Sequence, residues 1–130
     1  MSRLTLAADP AAVREARRFA RACCVDADIA QDVTETVVLL MSEAVTNAFV
    51  HGRSDARLTV TVARGAVLVE VRDDNSRHPK PVEADNDALD GRGMILMEAL
   101  AQRWGVRDEE FGKTVWFQVS REPITTSDGF

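Results

Sequence analysis

Between residues 28 and 50 the chain repeats apolar side chains at helical spacing without a break: Val33, Val37, Leu40, Met41, Ala44, Val45 and Ala48. A run this long and regular can bury its stripe only as a helix laid against a second layer of structure. Gly52 stands where such a helix should stop, glycine being the common residue just past a helix end. The period then changes to two. Leu58, Val60 and Val62 alternate with Arg57, Thr59 and Thr61; Arg64-Gly65 supplies a turn, and Val67, Val69 and Val71 continue beyond it. This is the pattern of a β-hairpin with one face buried.

The other elements fall around these two. Leu4 and Leu6 flank Thr5 and suggest a short opening strand. Asp9 and Pro10 suit the N-cap and first position of a helix reaching about residue 23. Its apolar stripe is Val13, Ala16, Ala20 and Cys23, and Arg14, Arg17, Arg18 and Arg21 cover much of the rest. Residues 73–90 are rich in Asp, Asn and Pro and lack any period, so a functional or mobile loop is expected. Gly91-Arg92-Gly93 opens a third helix, with Met94, Leu96, Met97, Leu100 and then Trp104 as its expected buried side. Strands near 104–107 and 114–120 follow, joined by a turn holding Glu109, Glu110 and Gly112, and a polar, disordered tail is expected over residues 123–130. The order β-α-α-β-β-loop-α-β-β predicts one α+β domain over residues 1–122. Its expected architecture is a two-layer α/β sandwich, with helices on one face of a mixed, mostly antiparallel sheet.

Composition narrows the partners. The 130 residues suffice for one core without staples. A net charge of −5 argues against a nucleic-acid partner, which usually selects a basic domain. With no leader-like start and no apolar run judged long enough to span a bilayer, the expected place is the cytoplasm, away from membrane. Cys23 and Cys24 are neighbours, and Cα atoms about 3.8 Å apart are too close for an ordinary disulfide. They read as small residues near a helix end.

Candidate chemistry lies where polar residues interrupt expected burial. Glu43 and Asn47 are four apart and share one helix face beside the apolar stripe. Alone, the pair fits a functional site and the edge of a solvated face equally well. The strand of Val67–Val71 leads into Asp73, a carboxylate able to accept from an exocyclic amine, although Asp is common wherever a strand ends. Gly91 and Gly93 stand at a helix N-terminus, whose free N–H groups favour phosphate. Thr114, after Gly112-Lys113, could share a ligand contact near Asp73, or could be an ordinary strand residue. No Walker-type loop occurs.

Taken in order, these segments resemble the GHKL superfamily of ATP-binding domains, with the Bergerat-type fold, and within it the anti-sigma-factor serine/threonine kinases. Glu43-Ala44-Val45-Thr46-Asn47-Ala48 with His51-Gly52 is similar to the family's N-box. Val69 to Asp73 resembles the strand into its first glycine box, Gly91-Arg92-Gly93-Met94 the second, and Gly112-Lys113-Thr114-Val115 the last. The resemblance implies ATP and Mg²⁺ as cofactors. It implies Glu43 as general base, Asn47 as magnesium ligand, Asp73 on the adenine amine with Thr114 in support, and Gly91 and Gly93 on phosphate. His51, Asn75, Arg92 and Met94 would complete the nucleotide site, and the segment from about 75 to 92 would be its lid. One departure stands out: Asn75 and Arg77 replace both glycines of the first glycine box. A free-standing domain of this kind implies a sigma factor and a small antagonist protein as partners, with Arg14, Arg17, Arg18 and Arg21 as a docking face and a homodimer left open. The alternatives are a catalytically weak module that sequesters a partner, and an ATPase subunit of a larger assembly.

Overall fold

The computed structural model describes residues 1–52, 55–73 and 91–121. Strand β1 (Ser2–Leu6) is followed by helix α1 (Ala11–Asp26), helix α2 (Gln31–Asn47) and one π-helical turn (Ala48–Gly52). Then come β2 (Ala56–Val62), β3 (Ala66–Asp73), helix α3 (Gly91–Leu100), β4 (Arg103–Glu109) and β5 (Gly112–Ser120). The strands form one sheet in the order β1-β2-β3-β5-β4. Among the described residues all four pairings are antiparallel, in line with the mostly antiparallel sheet expected. The chain is thus α+β, with a five-stranded sheet whose inner face is covered by helices.

Alternation sorts the strands into two faces. Leu58, Val60, Val67, Val69, Val71, Phe117 and Val119 are buried, and the helices bury Ala16, Ala20, Val37, Leu40, Met41, Ala44 and Val45 among the same core. Helix α2 packs on α1, α3, β3 and β5. Full burial of side chains such as Leu40 and Met41 contributes roughly 1.5–3 kcal/mol each. Contrary to the expectation above, Gln31–Val50 is by length and composition apolar enough to cross a bilayer, with 20 residues at a mean hydropathy of 1.3. Its apolar side chains are committed to the domain core instead, 61% of the window being buried there.

Three boundaries differ from the sequence expectation. Helix α1 runs one turn further, to Asp26, and stops in a Schellman arrangement: Ile29 N–H donates to Cys24 O at 3.0 Å and Asp28 N–H to Val25 O at 3.0 Å. Asp28 is the left-handed residue of that motif, with φ 59°, so it cannot begin the next helix, which starts at Gln31. The long helix ends at Asn47 as an α-helix and widens to the π turn instead of running regularly to residue 50. In α3 only Met97 of the expected apolar set is fully buried, while Met94 and Leu100 are each 40% exposed. The expected start of α1 holds: Asp9 Oδ1 accepts from Ala11 N–H at 2.9 Å, with Pro10 already helical.

Adding a glycine where Asp28 stands should remove the left-handed cost while keeping the helix stop. Asp28→Gly is expected to stabilise the domain by about 0.5–1 kcal/mol in urea unfolding. A loss of stability would contradict the assigned termination.

Candidate functional site

The candidate site residues lie at the end of α2, at the end of β3 beside the start of β5, and in the first turn of α3. Helix α2 packs on α3 and on both strands, and the π turn abuts β3. Asn47, in the last α-helical turn, is buried to 4% exposure. Its Nδ2 donates to the Glu43 carbonyl at 2.8 Å, which commits the amide nitrogen and leaves Oδ1 as the acceptor end. Glu43 is half-buried on the same face, one turn earlier. An amide oxygen and a carboxylate one turn apart on a helix face suit a small hard cation, which takes one or two protein oxygens and fills its shell with phosphate and water. Among the described residues there is no group of three His, Cys, Asp or Glu that could hold a metal without such help.

Asp73 closes β3 and is 2% exposed. It belongs to the inner face with Val67, Val69 and Val71, because alternate residues share a face. Across the ladder its register partner is Lys113, not Thr114. Lys113 Nζ lies 3.2 Å from Asp73 Oδ2, and both side chains are nearly fully buried. The adjoining Gly112 has φ +130°, and a Cβ there would lie 2.1 Å from the Asp73 carbonyl oxygen. Only glycine allows β5 to begin so close to the end of β3.

Thr114 is therefore not beside Asp73. It pairs in register with Arg72 and Arg107, and its hydroxyl donates to Glu109 Oε2 at 2.9 Å on the outer face of the sheet. That face carries a polar recess of about 230 Å³, whose walls include Arg3, Arg57, Glu70, Arg72, Arg107 and Thr114. Arg107 bridges Glu70 at 3.1 Å and Glu109 at 3.2 Å. The Thr114 hydroxyl and then Arg107 hold the Glu109 carboxyl below its ordinary pKa, and Arg107 is raised by Glu70 and Glu109.

Gly93 is buried in the first turn of α3, which Gly91 opens, while Met94 is exposed. Asn75 and Arg77 lie outside the described residues, as do the side chains of His51 and Arg92. On α1, Arg14, Arg17, Arg18 and Arg21 line a shallow recess of about 430 Å³ together with Ala22, Val25 and Asp26. Two of the four also brace the helices. Arg17 Nε donates to Ser42 Oγ at 2.9 Å, and Arg21 is ion-paired with Glu35. Cys24 is buried, and burial pushes its thiol above the ordinary range, so it is an inert core residue.

Sequence reasoning singled out the segment Gly112-Lys113-Thr114-Val115 but gave the contact near Asp73 to Thr114 instead of Lys113. The available signal was the alternation itself: counting back from buried Phe117 and Val115 places Lys113, and not Thr114, on the inner face.

The chain matches the histidine kinase-like ATPase domain family over residues 6–119. It belongs to that family and has the α+β architecture described above. Among solved structures it is similar to the RsbU and RsbW domains of Rv1364c from Mycobacterium tuberculosis, with a TM-score of 0.70 and 21% identity. That match covers 94% of this chain and 34% of the other, so this chain spans about a third of the solved protein's length. Comparison with the sequences of curated proteins gives no match.

Because Thr114 faces away from Asp73, Thr114→Val should leave Mg-ATP affinity within about twofold, the loss of one outer-face hydrogen bond being a matter of stability alone. The same substitution should raise the Glu109 pKa towards the ordinary carboxylate value, as read by NMR titration. The sign follows from the depressed pKa: the Glu109 contribution is present above the unfolded carboxylate pKa and disappears as pH falls through the folded one. A large loss of ATP binding in Thr114→Val would return Thr114 to the nucleotide site.

Proposed function

We propose that this domain binds Mg-ATP and acts as an anti-sigma-factor-type serine/threonine kinase, phosphorylating a small antagonist protein. The observation that carries the reading is Asn47, a buried amide fixed by the Glu43 carbonyl, one helical turn from the half-buried Glu43 carboxylate. Family membership supports the ATP part, and the RsbW domain in the similar solved protein supports the kinase part.

In this reading Asn47 Oδ1 and Glu43 face the phosphates from α2. Glu43 accepts the proton of the attacking hydroxyl, and Asn47 holds magnesium, which when bound neutralises phosphate charge. Phosphoryl transfer asks for that positioning and neutralisation more than for covalent help. Gly91 and Gly93 give phosphate a close approach to backbone N–H groups at the N-terminus of a ten-residue helix. Asp73 reads the exocyclic amine of the base. The recess on α1, basic at its four arginines and apolar at Ala22 and Val25, suits an acidic amphipathic partner surface. A sigma factor or its antagonist in the cytoplasm would be that partner.

A second reading is a weak nucleotide module that works by sequestering its partner. The Asp73–Lys113 ion pair favours it, since the base-reading carboxylate is already engaged.

The test begins with the partner captured by the full chain from its native cell and supplied with labelled ATP. Glu43→Ala should lower transfer to that partner by roughly 100-fold or more, the usual scale of a general base, with Mg-ATP affinity kept within about threefold by calorimetry. Transfer at the wild-type rate in Glu43→Ala would remove Glu43 from the chemistry. Stable capture of a partner without any ATP-dependent labelling would favour sequestration.

A further inference from the structure

Lys113 sits at the point where the proposed nucleotide site reads its base, and that reading gives it no role. The ion pair with Asp73 is no surface contact: Asp73 is 2% exposed and Lys113 8%. The ladder makes the two residues direct neighbours across β3 and β5. Gly112, seated against the Asp73 carbonyl at φ +130°, sets where β5 begins and hence where the Lys113 stem leaves the strand. The carboxylate is turned towards β5 with both oxygens. Oδ2 meets Nζ at 3.2 Å, and Oδ1 lies 3.1 Å from the point a Gly112 Cβ would occupy.

We propose that Lys113 is a specificity-determining residue of the nucleotide site, holding the Asp73 carboxylate so that a base must displace or share it. This deepens the ATP-binding reading and rests on it. A base amine is a neutral donor, whereas the ammonium is a charged donor to a charged acceptor in a desolvated setting. Both bonds are charge-assisted at the carboxylate, but the ammonium adds an attraction of opposite charges that the neutral amine lacks. An amino-purine therefore gains less from Asp73 than it would from an open carboxylate. A 6-oxopurine, which offers an oxygen where adenine offers the amine, loses less than usual, because the Lys113 ammonium can donate to it. The Asp73–Lys113 pair thus presents an acceptor and a donor side by side. The consequence is modest ATP affinity and poor discrimination between adenine and hypoxanthine.

Calorimetry on the full chain with Mg-ATP and Mg-ITP tests this. Wild-type protein should bind the two within about threefold of each other, since donor and acceptor are both on offer. Lys113→Met should bind Mg-ATP roughly tenfold or more tightly while Mg-ITP does not gain, the difference expected when one charged competitor is removed. Lys113→Arg should behave as wild type because it keeps the charge. Lys113→Gln, which keeps the stem and a neutral donor, should fall between wild type and Lys113→Met and guards against loss of folding in the apolar variant. Folding of each variant is read by thermal melting. A wild-type preference for ATP above about tenfold overturns the proposal without any variant, because the carboxylate is then open to the amine. A folded Lys113→Met or Lys113→Gln that binds ATP no more tightly than wild type overturns it too. No heat with either nucleotide in any form removes the ATP-binding reading and this inference together, whereas binding with unaltered selectivity removes this inference alone.

Discussion

The antiparallel register between β3 and β5 is the constraint on which the site depends. It sets Asp73 against Lys113, Arg72 against Thr114 and Val71 against Val115. A slip of one residue would move every side chain to the opposite face of the sheet. Lys113 would then lie outside, and Thr114 would stand beside the core. The register is held by the hydrophobic ladder of Val67, Val69 and Val71 against Val115, Phe117 and Val119, all buried. It is also held at the near end by Gly112, whose missing Cβ admits the Asp73 carbonyl. Packing and backbone conformation therefore agree on which side chain reaches the buried carboxylate.

Helix α2 does the complementary work from above. Its apolar stripe is fixed by the sheet, and the π turn that follows Asn47 lies against β3, which ends where β5 begins. The turn after Asn47 is π-helical, so the regular α-helical ladder stops just past the polar pair. Helix α1 adds a brace through Arg17 on Ser42 and Arg21 on Glu35. The same arginines line the recess on the outside of α1, so a partner docking there would press on the helix that carries Glu43. Arg121 ties the distant end of the domain by donating to Ala63 O and Ala27 O, each at 3.0 Å.

Much of the fold was legible because burial writes its period into the chain. The 3.6 repeat of Val33 to Ala48 and the alternation of Leu58 to Val71 gave element types and order correctly. What stayed hidden depended on single-residue geometry. Asp28 looked like a helix start, and only its left-handed conformation shows that it ends the preceding helix. Met94 and Leu100 look like core residues in a list of apolar positions, yet α3 turns mainly Met97 inward. At the site, the shared face of Glu43 and Asn47 followed directly from their spacing. Thr114 is turned away because the alternation of Val119, Phe117 and Val115, carried back along β5, brings Lys113 to the inner face. The ion pair of Lys113 with Asp73 joins residues forty positions apart, beyond the reach of any local pattern.

The central claim is that the inner face, between the end of α2 and the Asp73–Lys113 pair, is the nucleotide site. A crystal structure of the full chain with magnesium and a non-hydrolysable ATP analogue tests it most directly. The account predicts the base against Asp73 and Lys113, the phosphates at the Gly91–Gly93 end of α3, and the metal on Asn47 Oδ1. A nucleotide bound instead in the arginine-lined recess of the outer face, beside Thr114, would contradict it.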